Sequence, residues 1–272
     1  MIKQTKIVQI SDIHIVAGPD KLHGLTPAGR LRQCIDNINA NHADADLCVI
    51  TGDLTDVGDL DAYVKFREII ADLKLPVQLM IGNHDNRLNF TRVFPEIQTD
   101  GNGFIQASRQ LNGLSLLFLD TNEPGTHSGA YCIQRQKWLN GQLSALPDEA
   151  PVYIFLHHQP FDIHWPAMDE IGIVHAYELQ DILASHRNIK YVFFGHIHRT
   201  MNGVWRGIPF TAVPANNHQI WWEHDGELDI RYTQEPSAYN VILIDDDETL
   251  VYQYPLDLSG TPVFPHSSSK VI

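Results

Sequence analysis

Short apolar runs of strand length alternate with longer amphipathic stretches along this chain, and five of the runs break directly into Asp, Asn or His. Lys6 to Ile10 leads into Ser11-Asp12-Ile13-His14, Leu47 to Ile50 into Thr51-Gly52-Asp53, and Val77 to Ile81 into Gly82-Asn83-His84-Asp85. Val152 to Leu156 leads into His157-His158-Gln159-Pro160, and Tyr191 to Phe194 into Gly195-His196-Ile197-His198. Between the first three runs lie two helical patterns. Pro27 to Asn41 carries Leu31, Ile35 and Ile38 at helical spacing with Thr26 as N-cap, and Leu60 to Leu73 carries Tyr63, Phe66, Ile69 and Ile70 on one stripe. This β-α-β-α-β opening predicts parallel strands joined by right-handed crossovers. The carboxyl ends of such strands share one edge, where ligands bind.

The second half is richer in strands. Phe104 to Ala107 and Leu114 to Leu119 read as strands around a turn at Leu111-Asn112-Gly113; Ile133 to Leu146 and His175 to Ser185 read as helices. From Gly203 strands dominate, at Gly203 to Trp205, Ile208 to Val213, Tyr239 to Ile244 and Leu250 to Tyr254. The expectation is an α/β fold with two sheets face to face and helices outside. No linker divides the chain. Residues 1–257 are expected to form one domain, with 203–254 as a possible cap or oligomer contact and 258–272 as a polar tail. Trp221-Trp222 is expected to be a buried anchor or a subunit contact.

Composition narrows the function. With 19 Lys plus Arg against 33 Asp plus Glu, the net charge is −14, which argues against a polymer-binding nucleic-acid protein or an anionic-membrane binder. No apolar stretch reaches the roughly 18 residues of a membrane helix, and the N-terminal residues show no signal-peptide core. Cys34, Cys48 and Cys132 make no disulfide or zinc-thiolate pattern, so a cytoplasmic protein is expected. The 15 histidines are what an ordinary core does not explain.

The residues delivered to the shared edge make a metal-ligand set. Carboxylate, amide oxygen and imidazole suit zinc, manganese or iron. Asp12-x-His14 and His196-x-His198 each place two side chains on one face of an extended segment. Seven ligands exceed one tetrahedral ion and fit two ions sharing a carboxylate.

In this order, D-x-H, G-D, G-N-H-D, H-H and G-H-x-H resemble the calcineurin-like metallophosphoesterases, most of all the bacterial class III cyclic nucleotide phosphodiesterases and related glycerophosphodiesterases. Leu22-His23-Gly24, Leu119-Asp120-Thr121 and Gly207-Ile208-Pro209 add to the likeness. The resemblance implies a four-layer α/β/β/α sandwich and two bound ions of iron, manganese or zinc. It implies that Asp12, His14 and His198 hold one ion, that Asn83, His157 and His196 hold the other, and that Asp53 bridges them. It further implies that His84 acts on the substrate without binding metal, that Asp85 orients His84, and that His218 and His23 contact substrate. Two departures stand out. Asp56 occupies the position of the purple acid phosphatase tyrosine, and Gln159 replaces a proline common after the His pair. The implied activity is hydrolysis of small phosphodiesters, cyclic nucleotides such as 3′,5′-cAMP or glycerophosphodiesters, by hydroxide drawn from water that the ions acidify. A nuclease of the same superfamily, or a binding scaffold without catalysis, is the alternative. A homodimer or higher homo-oligomer is expected. His164, Asp162 and Trp165 are expected to wall the pocket, and His127 reads as a surface residue.

Overall fold

Three separate apolar clusters show how the elements stack. They were seen in a computed structural model, which describes residues 4–19, 21–222 and 229–256. In chain order the strands are β1 (Thr5–Ile10), β2 (Leu47–Ile50), β3 (Val77–Leu79), β4 (Ala107–Leu111), β5 (Leu114–Phe118), β6 (Gly129–Ala130), β7 (Val152–Phe155) and β8 (Ile173–Val174). There follow β9 (Ile189–Phe194), β10 (Met201–Trp205), β11 (Ile208–Ala212), β12 (Gln219–Ile220), β13 (Tyr232–Thr233), β14 (Ala238–Ile244) and β15 (Thr249–Pro255). The helices are α1 (Pro27–Asn41), α2 (Leu60–Ile70), α3 (Arg87–Val93), α4 (Ile133–Ser144), α5 (Pro166–Asp169) and α6 (Tyr177–Ser185). One sheet is ordered β15-β14-β1-β2-β3 and the other β10-β11-β9-β7-β5-β4.

Strand alternation sends successive side chains to opposite faces. Ile7, Leu47 and Val49 meet Leu116, Phe118, Phe155 and Phe193 between the sheets. Val8, Ile10, Cys48 and Ile50 turn outward onto Leu31, Ile35, Tyr63 and Phe66 of α1 and α2. On the far side Leu117, Ile154 and Val192 meet Leu139 and Leu143 of α4 and Leu179 and Leu183 of α6. Three interfaces separate four layers, which is the expected α/β/β/α sandwich.

Strands β1, β2 and β3 run parallel, as do β5, β7, β9 and β11. The 203–254 stretch divides between the sheets: β10 and β11 extend one, and β14 pairs antiparallel with β1 in the other. The β4–β5 hairpin turns on Asn112 (φ 51°) and Gly113 (φ 91°), the left-handed pair that a two-residue hairpin needs.

Several boundaries differ from the sequence reading. Pairing on the β4 side begins at Ala107 rather than Phe104. The Phe104 and Ile105 N–H groups are taken instead by the carboxylates of Asp100 and Asp120, at 2.9 and 2.8 Å. Helix α6 starts at Tyr177 because His175 adopts φ 53°. Thr26 stands at the N-cap of α1, yet its side chain makes no capping bond. Trp222 packs on Trp165 with ring centroids 4.8 Å apart, while Trp221 stays half exposed. The tail expected over 258–272 lies outside the described residues. Among the described residues, no helix is long and apolar enough to cross a membrane.

Candidate metal centre

Each of the five motifs sits just past the end of a parallel strand, β1, β2, β3, β7 or β9. Immediately beyond β1, β2 and β9 the backbone enters the left-handed region at Asp12 (φ 56°), His14 (54°), Asp53 (50°), His196 (66°) and His198 (50°). Non-glycine residues rarely hold this conformation. Here it is held by cross-strand bonds, including the Ile13 and His14 N–H groups on the Asp53 carbonyl at 2.8 and 2.9 Å. The two sheets meet at this edge, where the His196 N–H donates to the Asp12 carboxylate at 3.2 Å.

The expected ligands converge. Asp12, His14, Asp53 and His198 offer donor atoms that all lie within 4.8 Å of one another, and His157 and His196 belong to a second such group with His158. Asp53 Oδ2 lies between the groups, 3.6 Å from His14 Nε2 and 3.4 Å from His157 Nε2. Asn83 Oδ1 is 3.1 Å from His157 Nε2.

Hydrogen bonds at the rear of the rings set their tautomers. His157 Nδ1 donates to the Thr51 carbonyl and His198 Nδ1 to the His218 carbonyl, both at 2.8 Å. His196 uses Nε2 on the Ile171 carbonyl at 3.1 Å, and His14 Nδ1 faces the Asp56 carboxylate at 3.3 Å. Lone pairs therefore remain on His14, His157 and His198 Nε2 and on His196 Nδ1, the arrangement of metal-binding imidazoles. His14 and His198 Nε2 face each other at 3.3 Å, with Asp12 Oδ1 3.3 Å from the latter. Such an array of acceptors calls for positive charge between them. His158 differs: it accepts from Thr121 Oγ1 at 2.7 Å and donates to the His127 carbonyl at 3.2 Å, so neither nitrogen is spare.

The electrostatics agree. Burial would raise the Asp53 pKa, but His157, His84 and His14 hold it well below the carboxylate range. Burial would lower that of His157, but Asp53 overrides it and holds it at about 9, so without an ion Nε2 carries a proton that a metal must displace. The same attraction serves a cation. Glycine lets the turn approach both donors this closely: a Cβ on Gly82 would lie 2.3 Å from Asp53 Oδ1 and 2.6 Å from His157 Nε2 and would push them aside. The donors present thus fit a two-ion centre. Gly82→Ala is expected to lower metal occupancy while the chain stays folded, read by elemental analysis alongside circular dichroism; full occupancy would show that the glycine serves packing alone.

His84 departs from the expectation in one respect. Its Nδ1 is tied to the Asp56 carbonyl at 2.6 Å, and its backbone N–H donates to Asp53 Oδ1 at 2.9 Å. The expected Asp85–His84 pairing is not what holds the ring. The Asp85 carboxylate turns the other way and accepts from Leu54 and Gly82 N–H, Thr55 N–H and the Tyr63 hydroxyl, at 2.8 to 3.2 Å. Asp85 therefore binds the Gly-Asn-His-Asp turn to the Asp53 loop, and burial raises its pKa to about 6. Asn122 holds the same turn from the other side, donating to the Gly82 and Asp85 carbonyls at 2.6 and 3.1 Å.

His218 is buried against His14 and His198, at centroid distances of 4.9 and 4.7 Å, and burial with the neighbouring His198 lowers its pKa to about 2. His23 is exposed at the rim and stacks on Tyr232 at 4.0 Å. Both face the chamber above the cluster. His127, read as a surface residue, accepts from the Asn83 amide at 3.2 Å. The loop after His158 walls the chamber with Met168 and Ile171, whereas Asp162 and His164 face solvent and Trp165 is buried beneath. Tyr232 is not found from sequence because it belongs to no motif at the end of an apolar run; Asp56 enters only as a departure, and Asn122 is passed over although it follows the Leu114–Leu119 run within three places.

Facing sheets with such a cluster at their strand ends are the fold seen in dimetal phosphatases. A solved dimetal phosphatase from Danio rerio superposes with a TM-score of 0.71 at 14% identity, covering 93% of this chain and 96% of its own. The calcineurin-like phosphoesterase profile matches residues 5–200, and the chain belongs to that family. A Rhodopseudomonas palustris protein named "Probable cyclic nucleotide phosphodiesterase" is 34% identical over 261 residues, 95% of each chain. An Arcobacter nitrofigilis protein named "Probable glycerophosphodiester phosphodiesterase GpdQ" is 29% identical over 235 residues, 85% of this chain and 86% of its own.

Proposed function

We propose that this protein is a metal-dependent phosphodiesterase acting on small diesters, cyclic nucleotides or glycerophosphodiesters. The observation that carries the reading is the Asp53 carboxylate lying between two groups of imidazoles whose lone pairs face it. Asp12, His14 and His198 would hold one ion, Asn83, His157 and His196 the other, and Asp53 both. Bound there, iron, manganese or zinc would neutralise the diester and acidify a water. Asn83 contributes no negative charge, so the centre keeps more attraction for an anion. With Nδ1 donating to the Asp56 carbonyl, His84 can donate Nε2–H to a phosphoryl or leaving oxygen only as an imidazolium, the form that Asp53 and Asp56 favour by raising its pKa against the effect of burial.

The net charge of −14 favours a small substrate over a nucleic acid polymer, and the convergence of the expected Asp and His ligands, with Asn83 beside His157, favours an enzyme over a scaffold. The same reading treats residues 1–257 as one unit in a homo-oligomer, with Trp221 at the contact. The three free cysteines support a cytoplasmic location. Kinetics on metal-loaded protein test the activity: kcat/KM is expected to be higher for bis(p-nitrophenyl) phosphate than for p-nitrophenyl phosphate. The reverse order would overturn the diesterase reading.

A further inference from the structure

The chamber above the Asp/His cluster measures about 130 Å³, below the roughly 300–1,000 Å³ typical of sites that enclose an organic ligand. It can seat a phosphoryl group but not the organic part of a diester. A groove of about 620 Å³ adjoins it, and Asn83 and His84 line both. We infer that this groove, on the far side of His84, receives a neutral, ring-bearing alcohol arm of the diester, such as a nucleoside. This rests on the phosphodiesterase reading and names where the rest of the substrate lies.

The groove's chemistry selects the arm. Its lips carry Val57 and Leu88, which are 72% and 62% exposed although both are large and apolar. They give the polar cleft an apolar edge on which a ring can rest. Its cation, Arg87, is spent: Nε and Nη2 grip the Asp120 carboxylate at 2.8 and 2.9 Å, and Nη2 also reaches the Asn122 carbonyl at 3.0 Å. The Asp85 carboxylate is turned into the fold, as described above. The Asn122 amide is committed to the Gly82 and Asp85 carbonyls, and the Thr91 hydroxyl to the Arg87 carbonyl at 3.1 Å. What remains is the His84 ring and the amides of Asn83 and Asn86, with apolar edges at Val57 and Leu88 and no uncommitted carboxylate. It suits a flat neutral group better than a second phosphate or a choline-like cation. The Tyr232 side of the chamber offers apolar surface as well, but not the volume.

Equilibrium binding of reaction-product mimics to the metal-loaded protein tests this. Inorganic phosphate probes the chamber alone, and adenosine 5′-monophosphate probes chamber and groove together. The double variant Val57→Ser/Leu88→Ser removes the lips without adding charge. It is expected to raise the Kd of adenosine monophosphate about tenfold and leave that of phosphate unchanged, whereas Tyr232→Ala is expected to alter neither by more than about twofold. Unchanged nucleotide affinity in the double variant, with phosphate binding intact, would overturn the groove assignment. So would a large nucleotide loss in Tyr232→Ala alone, which would place the arm on that wall. Failure of the wild-type protein to bind phosphate at all would instead strike the phosphodiesterase reading.

Discussion

Asp53→Ala is expected to abolish retention of both ions and to lower kcat/KM by on the order of 10³ or more. Among the described residues the carboxylate is the one anion with ion-pair contacts to imidazoles of both groups, His14 at 3.6 Å and His157 at 3.4 Å. Without it, each remaining set loses its shared charge and the His84 N–H loses its acceptor. Two-metal stabilisation of a phosphoryl transition state is worth several kcal/mol, and each 1.36 kcal/mol or so is tenfold in rate. Asp53→Asn separates charge from shape, because asparagine tolerates the left-handed backbone at this position. It is expected to stay folded and still lose ions. Elemental analysis of both variants, with a thermal melt to confirm folding, decides the matter; two ions retained in Asp53→Ala would remove Asp53 from the bridging position.

His84→Ala is expected to keep its ions and lose about 10²–10³ in kcat, the usual cost of deleting a donor to a transition-state oxygen. Metal retention follows from the ring's position, since its Nδ1 bonds the Asp56 carbonyl and its backbone, unaffected by the substitution, supplies the bond to Asp53. The loss is expected to be larger for diesters with alkoxide leaving groups than for nitrophenyl esters, because nitrophenolate departs without a proton. Equal losses on both would confine His84 to phosphoryl binding. Loss of an ion would make it a ligand.

The residues that converge at the cluster were legible because the signal is local: an apolar run ends and the polar residue follows within one to four places, as at Ile10–Asp12 and Ile50–Asp53. Strand order then brings the ends together by rules that need no side-chain detail. The groups that orient the rings were not legible. Thr51, Ile171, His218 and Asp56 act through backbone carbonyls, which any residue possesses. The role that the resemblance implies for Asp85, orienting His84, is not what the structure shows. Asp85 follows His84 directly, but neighbouring side chains in a turn diverge, and the carboxylate serves Leu54, Thr55 and Tyr63 instead. Helices α3 and α5 have seven and four residues, too few for an apolar stripe to repeat.

The left-handed backbone at Asp12, His14, Asp53, His196 and His198 has a consequence for how this chain can change over generations. Each such position costs about 1–3 kcal/mol and persists because the surroundings enforce it. Glycine there would relieve the strain but discard the ligand. A gene copy released from its catalytic duty would therefore gain robustness by drifting toward glycine at these five positions first. Their identities make a ledger of whether a descendant is still under selection for turnover, readable before any assay is run.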